Sequence, residues 1–195
     1  MLFRSGGTIA WYTRRGGWSR LYFDAGERGW LYLVASTLAG FLLIDAALYY
    51  SHRLLHHRLL FRYVHRWHHR FVAPVVFTTL AMHPIEFVLY MCVTLLPIFI
   101  MPMFAPAFVG LVAYTYLIGI IDHTGVRLPW NVPVHGNGDF HNQHHIYFHC
   151  NFGHHTSLFD RLHGTVRRGD RHYDEHTFGG RGAPRKEKED EHAAA

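Results

Sequence analysis

Cysteine is nearly absent from this chain: 2 residues in 195, Cys92 inside an apolar run and Cys150 beside a group of histidines. Such placement excludes a disulfide framework and keeps thiolates out of a metal-ligand set. Charge is missing from long stretches. From Phe71 to Ile121 the sole formally charged side chain is Glu86, and from Leu31 to Tyr50 it is Asp45. There is no flavin or nicotinamide fingerprint and no haem-binding domain, so any redox chemistry must draw its electrons from outside the chain. The N-terminus lacks the order of charged, apolar and small residues that marks a cleavable signal peptide. No internal repeat occurs beyond three related histidine groups.

The apolar runs have the length of membrane helices. Trp30 to about Tyr50 matches the ~20 residues that a bilayer core requires. Val75 to Ile100 and Phe104 to Ile121 read as a hairpin of two further helices, with Pro97, Pro102 and Pro106 at its turn. A buried core helix is the alternative for the shorter run. An even number of crossings returns the chain to the side it left, so everything before and after the hairpin shares one face. Arg53, Arg58, Arg62, Arg66 and Arg70, with no acid between them, mark that face as cytoplasmic. Arg4, Arg14, Arg15, Arg20 and Arg28 vote the other way. The expected fold class is all-α, an integral membrane helical protein with a cytosolic histidine-rich metal-binding cap. Residues 1–29, with Trp11, Trp18 and Trp30, read as an interfacial segment, residues 30–170 as the membrane domain, and residues 171–195 as a disordered C-terminal tail. The net charge of +5 lies beside membrane helices, which points to anionic lipid and not to nucleic acid.

Histidine is what the chain has in excess, 19 of 195 residues. Three boxes carry most of the pattern: His52-Arg-Leu-Leu-His56-His57, His65-Arg-Trp-His68-His69 and His141-Asn-Gln-His144-His145. On a continuous helix Asp45, Tyr49, His52 and His56 fall at i, i+4, i+7 and i+11, which is one stripe. His65, His68 and His69 stand at i, i+3 and i+4, and the third box repeats that spacing. Eight imidazoles on three segments can therefore converge. Neutral imidazole suits zinc, copper, iron and nickel, whereas structural zinc closes with four ligands and usually recruits cysteine. Eight nitrogens are too many for one ion, so two metals share the boxes, and a non-haem di-iron pair is the form that activates oxygen. For a single histidine, a surface or hydrogen-bonded role is the alternative. Asp45 either accepts the second N–H of a histidine ligand or sits exposed at the headgroups. A histidine-rich metal-binding or transport protein is the rival class, and it fits poorly, because the spans are nearly charge-free and the histidines cluster beyond their ends.

With these boxes go Ala81-Met-His83-Pro84-Ile-Glu86, Asp122-His123-Thr-Gly125, Asn151-Phe-Gly153 and Leu158-Phe-Asp160-Arg161-Leu-His163-Gly164-Thr165. Over roughly Gly40 to Arg167 the set resembles the fatty acid hydroxylase and sterol desaturase superfamily of membrane di-iron oxidases. The third box, with Asn137 and Gly138 ahead of it and Asn151 to Gly153 behind, looks most like sterol C-5 desaturases, or lathosterol oxidases. The stretch from His123 to Pro129 and Trp130 is closer to methylsterol oxidases and sterol hydroxylases. The resemblance implies that His52, His56, His65, His68, His69, His141, His144 and His145 bind iron, with His123 as a ninth ligand. It implies supporting roles for His57, His83 and Asp160, and an Asp160–Arg161 ion pair closing the C-terminal segment. His149, His154, His155 and His163 read as interfacial or supporting residues.

Two iron ions, with zinc as a substitute, and O2 as co-substrate follow from the same likeness, as do cytochrome b5 and its reductase as electron donors. The implied reaction is sterol C-5 desaturation, with sterol or fatty acyl hydroxylation as the alternative. An apolar substrate would enter from the bilayer past Phe77, Phe87, Tyr90 and Tyr116. The endoplasmic reticulum is the implied location in a eukaryote and the inner membrane in a bacterium. Members of the superfamily commonly carry further membrane helices ahead of the first box, where this chain has one.

Overall fold

A computed structural model describes residues 15–72, 75–125 and 138–185. Trp11, Pro129, Trp130, Asn137 and the segment 186–195 lie outside them. The first long element, α1 (Trp30–Leu55), has 26 residues, about 39 Å of helix. Its buried side chains include Gly40, Ile44, Leu48, Ser51 and Leu55, which form one stripe at helical spacing. The other face is Leu31, Val34, Leu38 and Leu42, all exposed. At Gly40 a Cβ would come within 2.6 Å of Met103 Cε, so a larger residue there would oblige the Met103 side chain to move.

A single helix over Val75–Ile100 does not form. The stretch holds a 3-10 turn at Val76–Leu80, a break at Ala81–His83, then α3 (Pro84–Leu95) and α4 (Pro97–Ile100). Here α2 is the short helix Arg58–Tyr63 that follows α1. Proline sets both breaks. A residue before proline is driven out of the helical region, and His83 takes φ −66° and ψ 143°. Its Nδ1 then accepts the Ile85 N–H at 3.2 Å, while Pro84 occupies the first helical position, where no N–H is needed. Pro97 likewise takes the first helical position, but Leu96 before it stays helical at φ −50° and ψ −43°, so the break there is slight.

From Ile100 the chain turns through Met103–Phe104 (β2) into α5 (Ala105–Asp122). β2 pairs in parallel with β1 (Leu21–Tyr22), Leu21 opposite Met103. The Tyr32 hydroxyl donates to Pro102 O at 3.0 Å, and Ile98, Met103 and Phe108 form a buried cluster beside it. This turn therefore lies at the Trp30 end of α1, remote from its histidines, and the outward and returning path expected of the hairpin is kept. Two helices, α1 and α5, are long and apolar enough to cross a membrane. Only 28% and 22% of their most apolar windows is buried within the chain. That outward apolar surface is what a bilayer accepts and a soluble core helix would hide.

The rest of the chain caps one end of these helices. It comprises the 3-10 turn His65–Arg70, α6 (Gly138–Tyr147), α7 (Leu158–His163), and a pair of short antiparallel strands, β3 (Arg171–His172) and β4 (Ala183–Pro184). The tail expected to start at residue 171 is thus folded as far as residue 185. Tyr173 is buried, and Phe178 packs on His149 with ring centroids 4.2 Å apart. Aromatic contacts that sequence periodicity does not register hold this stretch down.

Candidate metal centre

Each histidine box reaches the site by a different local route. His52 stands on the last turn of α1, and His56 is the residue that caps it. The second box is a 3-10 turn and not the α-helix its spacing suggested, yet His65, His68 and His69 are all buried. His141, His144 and His145 line the buried face of α6. His123 caps α5.

The nine rings fall into two groups, His52, His56, His65, His69 and His144 in one, and His68, His123, His141 and His145 in the other. Within each, one nitrogen per ring lies within 4.8 Å of every other. Hydrogen bonds from the far side show which nitrogen that is. His52 Nδ1 is 2.8 Å from Phe152 O, His144 Nδ1 2.6 Å from Cys150 O, and His123 Nδ1 2.6 Å from Gly119 O. A carbonyl only accepts, so each Nδ1 carries the proton and each Nε2 is a bare lone pair. His65 Nδ1 lies 2.7 Å from Glu86 Oε1, with the same consequence when that carboxyl is ionised.

The bare Nε2 atoms of His52 and His65 face each other 3.1 Å apart. Those of His144 and His123 lie 3.0 Å from His69 Nε2 and His141 Nε2. Two lone pairs repel at that distance unless a cation lies between them. Nitrogens bound ~2.1 Å from one ion are about 3.0 Å apart at a right angle and about 3.4 Å at the tetrahedral angle. The observed separations, 3.0–3.3 Å across the two groups, lie between these values. Each group is therefore a donor set that fits a metal ion, iron among those that imidazole suits.

Burial keeps these rings neutral, as ligands must be. His65 and His68 are pushed down to about 3, chiefly by burial. His69, His141 and His144 lie well below the usual histidine range for the same reason, with neighbouring imidazoles adding to it.

The supporting residues differ from expectation. Asp45 is fully buried, which rules out the headgroup alternative, and its carboxylate accepts the Thr156 N–H at 3.2 Å and the Thr156 hydroxyl at 2.5 Å. Asp160 is held by the N–H groups of Phe152 and Gly153, at 2.9 and 2.6 Å, and by the Thr165 hydroxyl at 2.6 Å. Arg161 Nε donates to Ser157 Oγ at 3.1 Å. These two acids therefore anchor the loop 151–157. His57 is exposed at the start of α2, and His83 serves as a helix cap. Sequence reasoning gave Glu86 no role. Its one signal was its isolation, the single formal charge in a 51-residue apolar stretch.

A cavity of about 80 Å³ opens beside both groups, with His52, His68, His123, His141 and His154 on its wall. Its apolar side includes Leu48, Phe87, Tyr90 and Tyr116. Phe77, expected here, is 83% exposed and points away.

Apolar helices that end in two groups of buried neutral imidazoles, opening on an apolar cavity, define a helical metal-binding protein of the membrane. The family model for fatty acid hydroxylase matches residues 37–165, and the chain belongs to that family. It is 32% identical over 155 residues to the lathosterol oxidase of Rattus norvegicus, covering 77% of this chain and 52% of that protein. It is 36% identical over 127 residues to a Delta(7)-sterol 5(6)-desaturase of Gibberella zeae, covering 65% and 36%, and 30% identical over 168 residues to one of Schizosaccharomyces pombe, covering 84% and 54%. The chain spans about half the length of the curated relatives it matches. No solved structure matches it.

Proposed function

We propose that this chain carries the di-iron centre of a membrane oxidoreductase that desaturates a sterol at C-5, within a unit spanning residues 30–170. One observation carries the reading: nine buried imidazoles are split five and four, and four of them, His52, His68, His123 and His141, line an apolar cavity. Iron held by His52, His56, His65, His69 and His144 and by His68, His123, His141 and His145 would supply the O2-dependent oxidation of an unactivated C–H bond, which side chains alone cannot perform. The chain's own residues do the rest. Backbone carbonyls and Glu86 orient the rings, Leu48, Phe87 and Tyr116 exclude water, and the loop held by Asp45 and Asp160 closes the site. Names of the relatives support a Δ7-sterol substrate.

Electrons come from outside the chain. Exposed Arg58, Arg62, Arg66 and Arg70 surround the site's outer face, which supports a cytosolic orientation and an acidic donor of the cytochrome b5 kind with its reductase. In a eukaryote that face belongs to the endoplasmic reticulum, and in a bacterium to the inner membrane.

The test is expression in cells lacking their own C-5 desaturase, with iron analysis of the purified protein and oxygen uptake on lathosterol-type sterol. The expected result is about two iron ions and a product with a conjugated ring diene, visible in the ultraviolet. One zinc and no iron-dependent turnover would refute the proposal. Hydroxylation of an acyl chain is a second reading, favoured by cavity size: ligand pockets run to ~300–1,000 Å³, and about 80 Å³ holds a short stretch of chain more readily than four rings. Hydroxylated product without diene selects it.

A further inference from the structure

Of the five rings in the larger group, His56 has its tautomer set by way of the C-terminal segment. His56 Nδ1 lies 3.0 Å from His149 Nδ1, and His149 Nε2 lies 2.8 Å from the Glu175 carbonyl. The carbonyl can only accept, so His149 Nε2 carries the proton and, in the neutral ring, Nδ1 is a bare acceptor. His56 must then donate from Nδ1, which leaves its Nε2 unprotonated. That Nε2 is buried with no hydrogen-bond partner, as a metal-binding lone pair would be.

The geometry that sets this chain is itself pinned. His149 packs between Phe61 and Phe178, at centroid distances of 4.8 and 4.2 Å. Glu175 pairs with Arg66 at 2.7 Å, next to the second box. Asp174 accepts the His176 N–H and the Thr177 hydroxyl, both at 2.7 Å, and so holds the turn that presents the Glu175 carbonyl.

We propose that the C-terminal segment is a working part of the metal centre: through the Glu175 carbonyl it orients His149, a positioning residue that fixes which nitrogen His56 turns to the five-histidine group. The inference rests on the metal reading of the nine histidines and is independent of the substrate.

The experiment titrates the full chain with cobalt(II), whose visible absorption reports the number of nitrogen donors, in wild type, His149→Phe and His149→Asn. Phenylalanine keeps the aromatic packing and removes the acceptor, and asparagine restores an acceptor near the Nδ1 position. The expected result is two ions in wild type, one of them weakened about 10- to 100-fold in His149→Phe with an altered spectrum, and recovery to within a few-fold in His149→Asn. Equal affinity in wild type and His149→Phe overturns the proposal, and so does equal weakening of both variants, which would mark a packing role only. A wild type that fails to hold two ions overturns the metal reading along with it, which separates the two failures.

Discussion

Glu86 offers the sharpest quantitative check on how the site is built. Its Oε1 is 2.7 Å from His65 Nδ1, with the two side chains 0% and 1% exposed. A hydrogen bond to a charged group is worth roughly 1.5–3 kcal/mol and a neutral one roughly 0.5–1.5. In Glu86→Gln the amide oxygen can still accept, so the loss is the charge-assisted part, about 1 kcal/mol, or about 5-fold in metal affinity. In Glu86→Ala the acceptor is gone and the His65 tautomer is released, a loss of about 2 kcal/mol or roughly 30-fold, within the range seen when a ligand loses its supporting acceptor. Glu86 Oε2 is buried without a partner, so the metal-free fold gains little from the carboxylate and both variants should insert and fold. Chelator competition on purified protein measures the affinities, and circular dichroism confirms the helix content. Metal held as tightly in Glu86→Ala as in wild type would refute the reasoning.

Metal-free protein should lose stability as pH falls. The folded-state pKa values of His65 and His68 are depressed to about 3 against about 6.5 unfolded, so the unfolded chain takes up more protons between those limits. The two rings together give a slope of about 1.4 kcal/mol per pH unit at pH 6.5, rising toward about 2.7 near pH 5, and thermal melts that stay flat from pH 6.5 to pH 5 would contradict it. Asp45→Ala removes both bonds to Thr156 and should cost about 2–4 kcal/mol, read as a lower melting temperature. Cysteines placed at Arg58 and at Asn142 should react with an impermeant reagent from the same side, and opposite-side labelling would break the shared-face topology.

The histidine spacings and the charge-free runs by themselves pointed to a membrane metal centre and to eight members of the two groups, and the resemblance added the ninth, His123. Imidazole at three- and four-residue intervals must share a helical face, and a run of about 20 residues without charge has few homes other than a bilayer. Proline chemistry was legible too, in the turn at Pro97, Pro102 and Pro106. The break at His83-Pro84 is encoded by the proline as well, but the apolar run across it hides the boundary.

What only the tertiary structure decided depends on contacts between residues distant in the chain. The division of nine rings into five and four comes from the packing of α1, α5, α6 and the second box around common points, and no local pattern encodes it. Glu86 finds His65 across 21 residues, Asp45 finds Thr156 across 111, and Glu175 finds His149 across 26. Hydrogen bonds of this kind have no period for a sequence to display. The segment 171–185 shows the same limit: its composition reads as solvated, but Phe178 and Tyr173 fold it down because a buried histidine surface is there to receive them.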